Sequence, residues 1–129
     1  MISSIYETAT YYGAPLSVQP VCHNELKPFV DLVLKEGESR LRNLLPLILI
    51  KQAQRRKDVS QTFDQWSLED PSFRICWEFT RLAFRQTMDK AWTEEDRNRW
   101  RQSCQNARSI GVEPDRALEQ IRRHLRQVV

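Results

Sequence analysis

Residues 70–114 read DPSFRICWEFTRLAFRQTMDKAWTEEDRNRWRQSCQNARSIGVEP, and their punctuation decides the fold. Asp70 followed by Pro71 is a helix start: the carboxylate caps free amides, and the proline sits where its missing N–H costs nothing. Thr93 followed by Glu94, Glu95 and Asp96 is a second start, with acids at the positive helix end and Asp96 in the capping-box position. Gly111 stops that helix and Pro114 opens another. Apolar residues recur at helical spacing between these signals, which predicts helices from 71 to 92, from 94 to 111, and from 114 onward.

The same reading extends outward. Ala117, Leu118, Ile121, Leu125 and Val128 fall on one face of the last helix. Upstream, Leu41, Leu44, Leu45, Leu47, Ile48, Leu49 and Ile50 surround most of a helix expected over 39–57, which makes it central to the core. Pro46 in its interior predicts a kink or a split. A further helix is expected over 24–37, with Asn24 as cap, Pro28 in the first turn, Phe29, Val30, Leu32, Val33 and Leu34 as apolar surface, and Gly37 at its end. The segment between, DVSQTFDQWSLED, reads as a connector with a short helix anchored by Phe63 and Trp66.

Residues 1–22, MISSIYETATYYGAPLSVQPVC, are different in kind: β-branched and aromatic side chains with Gly13, Pro15 and Pro20. They predict an extended arm with at most one short strand or turn. Its apolar residues either pack on the protein's own bundle or dock on a neighbouring subunit, and Tyr6, Tyr11 and Tyr12 are the docking candidates. The expectation is an all-α, compact bundle of about five helices over 23–129, a single domain, preceded by an extended N-terminal arm.

Length and composition set the class. A chain of 129 residues is long enough to bury roughly two-thirds of its unfolded surface without metals or disulfides. Its three cysteines, Cys22, Cys76 and Cys104, are odd in number, widely spaced and preceded by no signal peptide, which predicts reduced thiols and a cytoplasmic location. The longest apolar run, 44–50, falls far short of the roughly 20 residues of a membrane span.

Charge is the informative part. Arginine outnumbers lysine fifteen to five, and the net charge of +3 is unevenly spread: residues 1–50 carry four basic and five acidic side chains, residues 51–129 sixteen and twelve. Guanidinium pairs with phosphate through a planar fork and stacks on bases, which ammonium does not, so a basic end rich in arginine predicts a polyanionic partner, nucleic acid ahead of membrane.

At about 100° per residue, Arg74, Arg81 and Arg85 share a narrow sector with Glu78, opposite much of the surface that carries Phe73, Trp77, Thr80 and Phe84. Arg97, Arg101 and Arg108 form a second row, the last helix presents Arg122 and Arg126 in one row and Arg116 and Arg123 in the next, and Lys51, Arg55, Arg56 and Lys57 cluster at a helix end. Solvated helix faces also look like this, with arginines offsetting the helix dipole and pairs such as Glu119 with Arg123 adding slight stability. Solubility alone does not call for arginine over lysine, and four clusters together favour a surface that tracks a phosphate backbone without reading sequence. Reversing Arg97, Arg101 and Arg108 to glutamate is then expected to abolish polyanion binding and spare the fold. Trp66, Trp92 or Tyr12 would stack a base where exposed, although four tryptophans in a small bundle serve first as core.

Constellations for chemistry are missing. His23 and His124 stand at opposite ends with no metal-ligand spacing, Cys22 beside His23 is a poor nucleophile and base pair, and no glycine-rich phosphate loop occurs among three glycines. Capping explains Glu94, Glu95 and Asp96 more simply than Mg²⁺. No enzyme activity, cofactor or metal is expected.

A small, all-helical, basic bundle with these arginine faces resembles the small subunit of type I CRISPR effector complexes, over residues 24–129. The resemblance rests on size, helicity and basic faces. It implies antiviral defence, copies arranged head to tail along a guide-RNA filament beside other subunits, and a basic face that supports the displaced non-target single-stranded DNA and the RNA–DNA heteroduplex. The competing expectations are a helical protein–protein adaptor whose arginines meet acidic surfaces, and a DNA-binding transcription regulator.

Overall fold

In the computed structural model the described residues are 2–88 and 91–125. They form seven α-helices and no strand: α1 (Ile2–Tyr11), α2 (Leu26–Glu36), α3 (Ser39–Arg55), α4 (Val59–Glu69), α5 (Pro71–Met88), α6 (Glu94–Ser109) and α7 (Pro114–Leu125). Arg126 and Val128 lie outside the described residues.

α3 and α5 are the central pair. On α3, Leu41 and every residue from 43 to 50 are buried, including Pro46, and the helix runs through the proline without splitting. Burial on nearly all sides explains this, because packing of that surface outweighs one lost backbone hydrogen bond. α5 buries Phe73, Cys76, Trp77, Phe79, Thr80, Leu82 and Ala83, and is flanked by α4 and α6. α7 packs on both central helices through Ala117, Leu118, Ile121 and Leu125. Phe63 holds α4 in place: it is fully buried, with ring centroids 5.2 Å from Trp66, 5.7 Å from Phe73 and 4.9 Å from Trp77.

The helix starts follow the sequence signals closely at two places. Asp70 accepts from the amides of Ser72 (3.0 Å) and Phe73 (3.2 Å), and the Thr93–Asp96 capping box closes in both directions at 3.1 and 3.0 Å. α2 departs from expectation: Glu25, not Asn24, is the residue before its first turn, and makes no side-chain cap. Lys27 compensates by bridging Asp31 (2.6 Å) and Asp70 (3.2 Å), tying α2 to the start of α5.

Burial alone would raise the Asp70 carboxyl, but the Phe73 amide, the Lys27 ammonium and the Ser72 amide outweigh it and hold it below the usual carboxylate range. A depressed folded-state value means that the stabilisation is complete above the unfolded pKa and disappears as pH falls through the folded one. Asp70→Ala is therefore expected to cost about 1–2 kcal/mol in urea unfolding at neutral pH. The gap to the unaltered protein should close in acid, and a gap independent of pH would contradict this assignment.

Residues 2–11 correct the expected extended arm. They are helical, although serine, threonine and β-branched residues make a poor helix former. The reason is tertiary docking: Thr8 and Ala9 are fully buried, and the hydroxyls of Thr8 and Thr10 donate to the carbonyls of Ser4 and Tyr6, both at 2.9 Å, so neither is left unsatisfied. The chain then doubles back along α1. Val21 N–H donates to the Glu7 carbonyl at 3.2 Å, and two bonds reach past residue 22: His23 N–H to the Thr8 hydroxyl at 3.1 Å and the Tyr12 hydroxyl to the Asn24 carbonyl at 2.6 Å.

Two glycines make these turns. Gly13 (φ 114°) follows α1 and Gly111 (φ 84°) follows α6. A β-carbon at Gly13 would stand 2.9 Å from Lys51 Cδ, and one at Gly111 2.8 Å from Arg42 Cδ. Both long side chains belong to α3, so each loop is pressed against the stem of a cation on the central helix.

Candidate nucleic-acid interface

The arginine rows separate into three environments. Arg74, Arg81 and Arg85 stand exposed on α5 as the periodicity requires, and α6 brings Arg99 beside them around a depression of about 360 Å³, whose other charged residues are Asp64 and Glu78. Four guanidiniums against two carboxylates leave it positive.

Sequence reasoning missed Arg99. On α6 it falls about 160–200° from the row of Arg97, Arg101 and Arg108, next to the buried face rather than on the far side. The contact between α5 and α6 is what turns it toward the α5 row, and nothing local to its own helix announces that.

Asp64 organises the depression. Its Oδ1 accepts from Trp77 Nε1 at 2.9 Å and from Arg81 at 3.4 Å, and the Arg81 guanidinium lies 5.9 Å from the Trp77 ring. Arg85 pairs with Asp96 at 3.4 Å and lies 5.7 Å from the Trp92 ring. The Asp64–Arg81 pair is solvent-exposed on both sides; pairs of this kind contribute about 0–1 kcal/mol, so an incoming phosphate displaces them at little cost. Arg74 and Arg99 have no ion-pair partner among the described residues.

The second environment is the outer row of α6. Arg97, Arg101 and Arg108 are exposed, but each is engaged locally: Arg97 with Glu94 at 3.8 Å, Arg101 with Asn98 at 2.9 Å, Arg108 with Glu113 at 3.8 Å. The third lies along α7. Arg122 and Arg123 are exposed, Arg123 pairs with Glu119 at 2.8 Å, and Arg116 and Arg123 face a cleft of about 860 Å³ that also holds Arg40, Glu38, Glu113 and Glu119. Three arginines meet three glutamates there, so the cleft is balanced rather than basic.

The cluster at the end of α3 divides. Lys51 is half-buried and donates to the Gly13 carbonyl at 2.8 Å, with burial, then Arg55, lowering its ammonium pKa. It fastens the fold. Arg55 and Arg56 are exposed, Arg56 with Asp58 at 3.4 Å.

The three tyrosines likewise part company. Tyr12 is buried and donates to the Asn24 carbonyl at 2.6 Å, and burial, reinforced by Cys22, pushes its phenol far up. Tyr6 donates to Glu38 at 2.6 Å, a bond that raises its pKa. Only Tyr11, 48% exposed, is turned outward. Trp66, half-buried against Phe63 and Phe73 with Lys27 over its ring, belongs to the aromatic core.

Other reactive groups are engaged elsewhere. Cys22 Sγ donates to the Asn24 carbonyl at 3.2 Å while the His23 ring meets Glu7 at 2.8 Å. Burial pushes the Cys76 thiol up to about 12. No group of three or more metal-ligating side chains occurs among the described residues, and no helix there is long and apolar enough to cross a membrane. Compared with protein-family models, curated proteins and solved structures, the chain matches none.

Proposed function

We propose that this protein is a non-catalytic subunit that binds nucleic acid through its phosphates without reading sequence. The observation that carries the reading is the convergence of Arg74, Arg81, Arg85 and Arg99 from two helices on one depression. Such forks match phosphate as they match carboxylate, and contacts to phosphate follow a backbone rather than a base sequence. Within this reading the part played is that of the small subunit of a type I CRISPR effector complex, holding displaced single-stranded DNA and the heteroduplex beside other subunits.

The test is a salt titration of binding to a labelled oligothymidylate. The logarithm of affinity is expected to fall with the logarithm of salt concentration with a slope of about −2 to −3, as for three or four neutralised phosphates on a single strand. No binding at low salt would sink the proposal and favour an adaptor that meets acidic proteins. Strong preference for one duplex sequence would point instead to a transcription regulator.

A further inference from the structure

A second depression adjoins the arginine one. It holds about 440 Å³, lies where α3, α4 and α5 meet, and is lined mostly by apolar surface of Ile50, Ala53, Trp77 and Phe84. Asp64, Trp77, Arg81 and Arg85 line both depressions, so the two share one wall. That wall is braced by the Trp77 indole, which donates to Asp64 Oδ1 at 2.9 Å.

We infer that the paired depressions form a nucleotide subsite for single-stranded nucleic acid, the arginine side taking a phosphate and the apolar side its unstacked base. The inference rests on the phosphate-binding reading above and adds to it the place of a base. Three features argue for this occupant. The apolar hollow opens beside guanidiniums, so a ligand that fills both must join an anion to a flat apolar group. The hollow has room for a nucleobase. On the shared wall the Arg81 guanidinium already lies 5.9 Å from the Trp77 ring, so a planar cation and an aromatic surface stand together where the two depressions join. A duplex keeps its bases stacked and cannot offer one, which makes the site selective for single strands without selecting sequence.

The experiment compares a labelled oligothymidylate with an abasic strand of the same length and phosphate number, on the unaltered protein and on Ser60→Trp. Ser60 is half-buried in the apolar depression, is no part of the arginine one, and a tryptophan there fills the space a base would take. The unaltered protein is expected to bind the abasic strand about tenfold more weakly. Ser60→Trp is expected to bring oligothymidylate down to that level and leave the abasic strand where it was. Equal affinity of the unaltered protein for both strands overturns the base site while phosphate binding stands, and so does a preference that survives Ser60→Trp. Absence of binding to either strand overturns both readings. Should Ser60→Trp fail to fold, the comparison of the two strands on the unaltered protein decides.

Discussion

Reversing Arg74 and Arg99 together to glutamate is expected to lower affinity for single-stranded oligonucleotide by about a hundredfold, with the fold unchanged. Both side chains are exposed and neither has an ion-pair partner among the described residues, so the exchange breaks nothing internal. It shifts the charge lining the depression by four units toward the negative. Losing two charge-assisted contacts, each about 1.5 kcal/mol, accounts for the loss. Fluorescence anisotropy measures the affinity, and circular dichroism checks the helices.

The companion variant reverses Arg97, Arg101 and Arg108, the row that the sequence singles out. These three lie across α6 from Arg99 and are engaged with Glu94, Asn98 and Glu113, so the more damaging variant identifies the contact face. A larger loss from the outer row would move the interface off the α5 depression.

The largest effect on stability is expected from Phe63→Ala, at about 3–5 kcal/mol. Phe63 is fully buried and its ring meets those of Trp66, Phe73 and Trp77, so truncation leaves a void that three large, mutually packed rings cannot close by small shifts. Against a domain stability of about 5–15 kcal/mol, that loss is a sizeable share of the whole. The functional consequence follows from position: Phe63 precedes Asp64, the residue that braces Trp77. Thermal or urea unfolding measures the cost, and a loss below 1.5 kcal/mol would show that α4 is held by something other than its aromatic contact.

Much of this architecture is written in short-range signals. Asp70–Pro71, Thr93 with Asp96, and Gly111 with Pro114 act on amides or carbonyls a few residues away, so their consequences are readable without the fold, and the leucine-rich run around Pro46 reads as central because no face of it is polar. The N-terminal segment is the opposite case. Ile2–Tyr11 has the composition of a strand or arm, and it is helical only because Thr8, Ala9 and Tyr12 have a surface to bury against, supplied by residues far along the chain. The site shows the same division: the α5 row follows from periodicity, whereas Arg99 and Asp64 join it through helix–helix contacts that no single helix encodes. The arginines themselves are legible as a list, and which of them are engaged by neighbouring carboxylates is not.

The two glycine turns give α3 a metric role. Arg42 and Lys51 are nine residues apart, about 13–14 Å along the helix axis, and each presses its stem against the turn that ends another helix. α3 thus serves as a ruler: the separation between the points where α1 and α6 hand the chain onward is set by the rise of a third helix rather than by the loops themselves. Lengthening either loop would leave that spacing intact, whereas inserting one residue between Arg42 and Lys51 would rotate one anchor about 100° away from its glycine.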